Sequence, residues 1–434
     1  MFERPKRGEA AILVHLDLLA ERACAEDLEE FQELADAAGM KTVATVVGRG
    51  RAPHPRYFVG TGKVEQIRRA VVGYEAEVVG FNHTLSPAQQ RNLEQCLQCR
   101  VVDRTGIILD IFAQRARSFE GKLQVDLAQL QHLSTRLVRG WTHLERQRGG
   151  IGLRGPGEMQ LEADRRLIGK RIQALNRRLE KVRRQRGQRR RARKRADLAL
   201  VSLVGYTNAG KSTLFNRLTG AAVYTADQLF VTLDPTLRKI EVPGFGPIVL
   251  GDTVGFIRHL PHDLVAAFRA TLEEIREVDL LLHVIDRSSP HWRERVEQVA
   301  QVIAEIGAAE VPRIEVYNKI DKTCDNPKPR IQEDKEGRIR QVWLSARVGE
   351  GLDLLLKAIG EHLSQDRRQH WLRLPATAGK MRAELYALGV VIEEATAHNG
   401  AWMLKVAIAR GRLEQLCQNA GLDYLSVAII DQAS

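Results

Sequence analysis

A glycine-rich loop between a predicted strand and a predicted helix carries the residues whose spacing most plainly indicates chemistry. Residues 203–213 read LVGYTNAGKST, which fits the pattern G-x-x-x-x-G-K-[ST]. Such a loop turns backbone N–H groups onto phosphates, and the following helix directs its positive dipole end at the same charge. Lys211 is predicted to reach the outer phosphates of a nucleotide, and the Ser212 hydroxyl to bind Mg²⁺. The predicted nucleotide contacts in the loop are Gly205, Tyr206, Thr207, Asn208, Ala209, Gly210, Lys211, Ser212 and Thr213.

Two later segments have the residue types that sense a terminal phosphate. Residues 230–236 read FVTLDPT and residues 250–256 read LGDTVGF. Thr232 is the predicted metal ligand in the triphosphate state, Asp252 is predicted to hold Mg²⁺ through water, and the Gly255 N–H is predicted to contact the terminal phosphate. We therefore expect Lys211, Thr232 and Gly255 to act in hydrolysis, with Ser212, Thr232 and Asp252 around the metal. The predicted contacts in the two segments are Phe230, Val231, Thr232, Leu233, Asp234, Asp252, Thr253, Val254 and Gly255.

Guanine recognition is predicted from a strand that ends in Asn-Lys-x-Asp at residues 318–321. The Asp321 carboxylate can accept both the ring N–H and the exocyclic amine of guanine, and adenine presents neither in that arrangement. Asn318 is expected to hold the base edge, and the stem of Lys319 to cover the base face. In the later segment LSAR, the N–H of Ala346 is expected to donate to the guanine carbonyl. The predicted contacts from this segment are Ser345, Ala346 and Arg347.

The residue after D-T-V-G is Phe256, where many GTPases carry a glutamine that orients the attacking water. A phenyl ring can neither donate nor accept that hydrogen bond. We therefore predict slow intrinsic hydrolysis of GTP, which a partner raises by ordering the two switch segments or by supplying charge.

Two features leave alternatives open. Asn208 resembles the asparagine with which some related GTPases hold a potassium ion, and the alternative is an asparagine that suits the turn. Residues 60–63, GTGK, suggest a second phosphate site, but the full motif is absent and a simple turn before a helix is the alternative.

Composition narrows the class of protein. The 434 residues favour about three domains, and 44% apolar residues suffice for hydrophobic cores. A net charge of +12 favours an acidic partner, usually nucleic acid. The N-terminus lacks the apolar core of a signal peptide, no apolar run is long enough to span a bilayer, and the five cysteines suit a reducing compartment. We expect a monomeric cytoplasmic protein, with peripheral attachment to a membrane left open.

The elements that must position these motifs predict an α/β fold in four parts. Residues 1–118 are predicted to form a small α/β domain with a parallel sheet, and residues 119–197 a helical hairpin with a glycine-rich tip. Residues 198–364 are predicted to form the P-loop GTPase domain, with a mixed and mainly parallel sheet. Residues 365–434 are predicted to form a small α+β domain.

The hairpin is predicted from residues, apolar except for Ser134, at alternating spacings of four and three, a pattern typical of packed helices. The first run is Leu123, Leu127, Leu130, Ser134, Leu137, Trp141 and Leu144, and the second is Ile168, Ile172, Leu175, Leu179 and Val182. The second helix is strongly basic, because residues 177–195 contain a single acid, Glu180. Since like charges repel along a helix, we predict contact with nucleic acid; a flexible basic linker is the alternative.

These motifs in this order resemble the HflX family of bacterial GTPases. The resemblance rests on the tip GGIGLRGPGE, the following QLEADRR, and the phosphate-loop, switch and NKID motifs, and it covers essentially the whole chain. It implies a GTPase that binds the large ribosomal subunit and its rRNA and, in the GTP state, splits stalled or idle ribosomes, often during heat stress. It also implies that the hairpin tip lies near the peptidyl-transferase centre. Met159 and Ala163 depart from the threonines that relatives commonly carry, which does not affect the GTPase prediction.

Other classes of function stay open on sequence grounds. An RNA-modifying GTPase would need a catalytic constellation outside the GTPase domain, and none is visible. An RNA-remodelling or ribosome-biogenesis GTPase with an ATP-binding N-terminal domain would use residues 60–63. A membrane signalling protein would need a lipidation signal or a spanning segment.

Overall fold

The computed structural model describes residues 8–18, 25–140, 156–195, 198–221, 229–230, 236–253, 255–256, 274–323, 327–365, 369–387, 390–396, 400–407, 413, 416–417, 420–422 and 427–429. In this part of the chain three β-sheets form, each with helices packed against it. The predicted α/β fold is confirmed.

The first sheet is parallel and has the strand order β2-β1-β3-β4. Its strands are β1 (Ala10–Leu18), β2 (Lys41–Gly50), β3 (Val78–Phe81) and β4 (Arg100–Asp103). Its helices are α1 (Ala25–Ala37), α2 (Thr61–Gly73), α3 (Pro87–Leu97) and α4 (Arg104–Arg115). The two central strands, β1 and β3, are almost wholly buried because helices cover both faces of the sheet. Ser86 and Gln89 fix the start of α3 through a reciprocal capping box.

Two long helices follow, α5 (Phe119–Gly140) and α6 (Pro156–Arg195). The two predicted apolar runs meet in a small cluster of leucines, Leu123, Leu127, Leu175 and Leu179. Leu130 and Ile172 pack against its edge. The predicted tip, with Trp141 and Leu144, lies outside the described residues.

The second sheet has the order β10-β11-β9-β8-β5-β7-β6. Its strands are β5 (Leu200–Val204), β6 (Thr236–Val242), β7 (Gly246–Asp252), β8 (Leu280–Asp286), β9 (Arg313–Asn318), β10 (Arg330–Glu333) and β11 (Ile339–Trp343). Its helices are α7 (Lys211–Thr219), α8 (Trp292–Glu305) and α9 (Leu352–Gln365), with 3-10 turns at Glu274–Glu277 and Ile320–Lys322. The pairs β6–β7 and β10–β11 are antiparallel and the other pairs are parallel. The sheet is therefore mixed and mainly parallel, which is what the sequence predicted. The carboxyl ends of the parallel strands share one edge, which is where ligands bind in such sheets.

The third sheet is antiparallel and has the order β13-β14-β12-β15. Its strands are β12 (Gln369–Leu374), β13 (Val391–Thr396), β14 (Trp402–Ala407) and β15 (Ala428–Ile429), and α10 (Gly379–Ala387) packs against them. In the described residues no helix combines the length and the apolarity that crossing a membrane requires.

Candidate nucleotide site

The phosphate loop joins β5 to α7 at the carboxyl edge of the second sheet. Lys211 begins α7, and its ammonium donates to the main-chain oxygens of Gly205 (3.0 Å) and Tyr206 (2.7 Å). Burial lowers the pKa of Lys211 to about 8, although the nearby Asp252 carboxylate acts in the opposite direction. The side chain is therefore buried beside the loop, where a polyphosphate would favour its charged form.

Ser212 and Asp252 meet at the predicted metal position. The Ser212 hydroxyl donates to Asp252 Oδ2 at 2.7 Å, and Asp252 is fully buried at the end of β7. Parallel pairing of β5 with β7 sets Leu203 opposite Asp252, so the carboxylate lies beside the beginning of the phosphate loop. A hydroxyl and a carboxylate oxygen are ligands that Mg²⁺ prefers, so these residues fit the ion. Thr232, the third predicted ligand, lies outside the described residues.

The segment after β7 is bonded directly to the phosphate loop. The N–H of Thr207 donates to the main-chain oxygen of Phe256 at 2.7 Å, and the N–H of Phe256 donates to that of Gly205 at 3.1 Å. A Cβ added to Gly255 would lie 2.9 Å from Thr207 Cγ2 and 3.0 Å from Lys211 Nζ. Only glycine allows this approach, so the backbone of Gly255 lies next to the lysine, where the sequence predicted a phosphate sensor.

The remaining predicted phosphate contacts divide into two groups. Thr213 lies in the first turn of α7, and Thr253 is buried with its hydroxyl donating to the main-chain oxygen of Leu203 at 2.6 Å. Those outside the described residues are Val231, Thr232, Leu233, Asp234 and Val254.

Asn318 connects the phosphate loop with the LSAR segment. Its Nδ2 donates to the main-chain oxygen of Ala209 at 2.8 Å, and its Oδ1 accepts from the N–H of Ala346 at 2.9 Å. The Ala346 N–H was predicted to face the guanine carbonyl; here it donates to Asn318, because a buried amide oxygen needs a donor. In this arrangement Asn318 braces the two loops that flank the predicted base position.

The two charged residues of the NKID motif also have fixed partners. Lys319 adopts a left-handed backbone conformation (φ +62°), and its ammonium pairs with Asp286 Oδ2 at 2.7 Å. Asp321 Oδ1 accepts from the Ser345 hydroxyl at 2.7 Å. Arg347 is exposed, and its main-chain oxygen accepts from the Arg217 guanidinium. Asp286 was not predicted from the sequence, although its place at the carboxyl end of β8 could have indicated it.

A contact from the first sheet to the phosphate loop was also not predicted. The Tyr206 hydroxyl donates to the carboxylate of Glu30 on α1, and the same carboxylate pairs with Arg104 at the start of α4. Tyr206, Glu30 and Arg104 are only 6%, 5% and 4% exposed. Arg104 also donates to Asn82 Oδ1 at 2.6 Å, which extends the polar chain to the end of β3. The N-terminal sheet therefore holds the phosphate loop through a buried ion pair.

Apolar contacts reinforce this junction. The Phe112 ring on α4 meets the Phe230 ring edge-on, with centroids 4.7 Å apart. Phe256 is 4% exposed and belongs to the same apolar cluster.

Asn208, the predicted potassium ligand, has a left-handed backbone (φ +58°) and its amide lies 3.5 Å from Glu33 on α1.

The suggested second phosphate site at residues 60–63 forms the start of α2. The Lys63 ammonium donates to the main-chain oxygen of Val47 at 2.7 Å and to Gln66 Oε1 at 2.9 Å. This lysine is thereby engaged by its own sheet and helix.

Comparison with known proteins gives matches along most of the chain. Family models match as GTP-binding GTPase N-terminal at residues 25–113, GTP-binding GTPase Middle Region at 115–193 and 50S ribosome-binding GTPase at 200–319. GTPase HflX of Escherichia coli (strain K12) is 55% identical over 427 residues, covering 98% of this chain and 100% of that protein. GTPase HflX of Magnetococcus marinus is 46% identical over 396 residues, 91% of each chain. A crystal structure of a GTP-binding protein from Sulfolobus solfataricus in complex with GDP is 24% identical with a TM-score of 0.43, covering 82% of this chain and 99% of that one.

Proposed function

The chain belongs to the HflX family of GTPases, and from that premise we propose that it binds the large ribosomal subunit and, in its GTP state, splits stalled or idle ribosomes. It hydrolyses GTP to GDP and phosphate. The description of the family model at residues 200–319, a 50S ribosome-binding GTPase, supports the choice of partner. We propose that the protein acts in the cytoplasm as a monomer. Heat or another stress is the proposed condition under which it acts.

The proposed catalytic arrangement uses the residues gathered at the phosphate loop. Lys211 neutralises charge on the outer phosphates, and the backbone at Gly255 contacts the terminal phosphate. Ser212, Asp252 and Thr232 would hold Mg²⁺, which supplies charge neutralisation for the transferred phosphoryl group when bound. Asp321, fixed by Ser345, accepts from the two guanine donors.

The burial of Phe256 is the observation that supports the proposed slow intrinsic rate of GTP hydrolysis. In the sequence Phe256 stands where many GTPases carry a water-orienting glutamine, and in the structure it is buried in an apolar cluster. We infer that intrinsic hydrolysis is slow and that the large subunit raises it by ordering the switch segments. GTP turnover measured with and without large subunits tests this, with small subunits as the control. Equal turnover in the presence of large and small subunits would contradict the proposal.

Ribosome binding is proposed to depend on nucleotide state and on the basic part of α6. Sedimentation of the chain with ribosomes should show binding with a non-hydrolysable GTP analogue and weaker binding with GDP. Neutralising the basic residues of the helix should weaken binding and flatten its salt dependence; these are Arg189, Arg190, Arg191, Arg193, Lys194 and Arg195. Deleting residues 149–157 should preserve nucleotide binding but abolish splitting. An unchanged salt slope would contradict the proposed role of the basic part of α6. Ribosome splitting that survives the deletion would contradict the proposed role of the tip.

A further inference from the structure

Three arginines near the carboxyl edge of the GTPase sheet lie over tryptophan rings. The Cζ atom of Arg330 is 4.3 Å from the centroid of the Trp343 ring, and that of Arg293 is 4.6 Å from the centroid of Trp292. Arg287 lies between the two rings, 5.1 Å from Trp292 and 5.8 Å from Trp343. Arg293 and Arg330 are exposed, and the other three side chains are half-buried. We call these five residues the arginine–tryptophan patch.

The patch is held by the register of the sheet. Across β10, β11 and β9, Arg330 pairs with Trp343 and Trp343 pairs with Tyr317. The Trp343 and Tyr317 rings stack at 4.7 Å, and Trp292 meets Tyr317 edge-on at 5.6 Å. Tyr317 is buried, and its hydroxyl donates to Glu315 at 3.0 Å. The tryptophans therefore rest on a fixed base, and the guanidinium groups gain a defined position at little further entropic cost.

The three guanidinium groups take no part in the ion pairs of the described residues. Among the described residues, no carboxylate lies within ion-pair distance of Arg287, Arg293 or Arg330. A contrasting case is Arg382, which lies over the Trp402 ring but is neutralised by Glu394. Stacking occupies the face of a guanidinium and leaves its N–H edges available, and those edges match the oxygens of a phosphate.

We propose that the arginine–tryptophan patch is a docking surface for RNA. The guanidinium edges bind phosphodiester groups, and an unpaired base stacks against the outer face of the exposed Arg293 or Arg330 guanidinium. The inference deepens the proposed ribosome binding by adding an RNA contact on the GTPase domain, separate from the basic part of α6. Tyr317 directly precedes Asn318, and Trp343 directly precedes the LSAR segment, so RNA docked on the patch would lie beside the guanine-recognition loops.

The test measures binding of the full-length GDP-bound chain to fluorescently labelled polyuridine RNA at increasing salt. We expect the double variant Arg293→Gln, Arg330→Gln to bind about tenfold more weakly, because two phosphate contacts are lost. The slope of log affinity against log salt should fall by about 1.4, from roughly 0.7 per phosphate on a single strand. The matched control is Arg313→Gln, an exposed arginine at the opposite end of β9, which should leave affinity and slope unchanged.

Further measurements separate the outcomes. The double variant should keep the thermal midpoint and GDP affinity of the native chain, because both arginines are exposed and lie outside the nucleotide site. An effect that adds to neutralisation of α6 would support two separate RNA contacts. Unchanged RNA affinity and salt slope would overturn the proposal. So would intact RNA binding with lost binding to large subunits, which would identify an acidic protein as the occupant. If the native chain bound RNA through the patch but did not bind large subunits, only the ribosomal function would fail.

Discussion

Replacing Tyr206 by phenylalanine tests whether the N-terminal sheet holds the phosphate loop. The substitution removes one hydroxyl, which donates to the buried carboxylate of Glu30, and leaves the ring in place beneath the Arg295 guanidinium 4.8 Å away. The Glu30–Arg104 ion pair stays intact, so no buried charge is left without a partner. The change therefore isolates a single charge-assisted hydrogen bond across the junction.

The expected magnitude follows from the burial of both partners. A hydrogen bond to a charged group contributes about 1.5–3 kcal/mol, and neither Tyr206 nor Glu30 is more than 6% exposed. A loss of about 2 kcal/mol makes opening of the junction roughly 30-fold more frequent, at about 1.4 kcal/mol per factor of ten. Glu30→Gln also removes the buried ion pair with Arg104, so this variant is the reference for the second half of the cycle; in it the hydroxyl meets a neutral amide, and the same substitution should cost only about 1 kcal/mol. The difference, about 1 kcal/mol, is the coupling between the two residues.

Hydrogen exchange followed by mass spectrometry measures this opening directly. We expect faster exchange in two peptides at once, one covering α1 and one covering the phosphate loop, while peptides from the third sheet stay unchanged. The matched control is Tyr386→Phe, which removes a hydroxyl that donates to Glu394 on an exposed surface. This control should leave exchange in α1 and the phosphate loop unchanged. Unaltered exchange in both peptides of the Tyr206→Phe variant would refute the role of the contact.

Three further predictions concern the nucleotide itself. Burial lowers the pKa of Lys211 to about 8, and a bound polyphosphate favours the ammonium form, so GDP binding above pH 8 should take up a proton. The affinity for GDP should therefore be about tenfold weaker at pH 9 than at pH 7. Lys211→Met should flatten this dependence of affinity on pH. Asp321→Asn should weaken GDP binding and favour xanthosine diphosphate, whose 2-carbonyl can accept from the new amide; retained preference for GDP would show that Asp321 does not read the base. If Asn208 holds potassium, turnover should be faster in potassium than in sodium, and Asn208→Ala should abolish the difference; equal turnover in the two salts would favour a purely conformational role.

The parts of the site that the sequence predicted depend on local patterns. A phosphate loop is defined by backbone conformations within a few residues, so Gly205 and Gly210, both with positive φ, could be recognised without knowing the rest of the fold. The mainly parallel sheets were predicted from alternating apolar runs and helices, and the meeting of Ser212 with Asp252 from two motifs that end neighbouring parallel strands. In each case the recognisable pattern and the contact lie on the same or adjacent elements.

The contacts that were not predicted join distant elements through ordinary residues. Glu30 and Tyr206 are 176 positions apart, and Glu30 belongs to an amphipathic helix rich in acids, where it resembles any solvated side chain. Arg104 likewise follows a strand end without any motif around it. Nothing in the spacing distinguishes a glutamate that faces solvent from one buried between two domains, because the difference lies in docking and not in local structure.

Phe256 shows how the junction changes the meaning of a residue that the sequence did single out. From the sequence alone, phenylalanine at this position indicates only a missing catalytic function, because its ring cannot orient the attacking water. In the structure Phe256 is buried in the apolar cluster that also contains Phe112 and Phe230, so the position also contributes to the packing between the N-terminal sheet and the GTPase domain. A glutamine there would bury an amide among apolar side chains at a cost of about 1–3 kcal/mol and would leave part of the ring's volume unfilled. One side chain at this position cannot both orient water and pack the junction, so we expect the interdomain contact to be one cause of the slow hydrolysis proposed for the free protein.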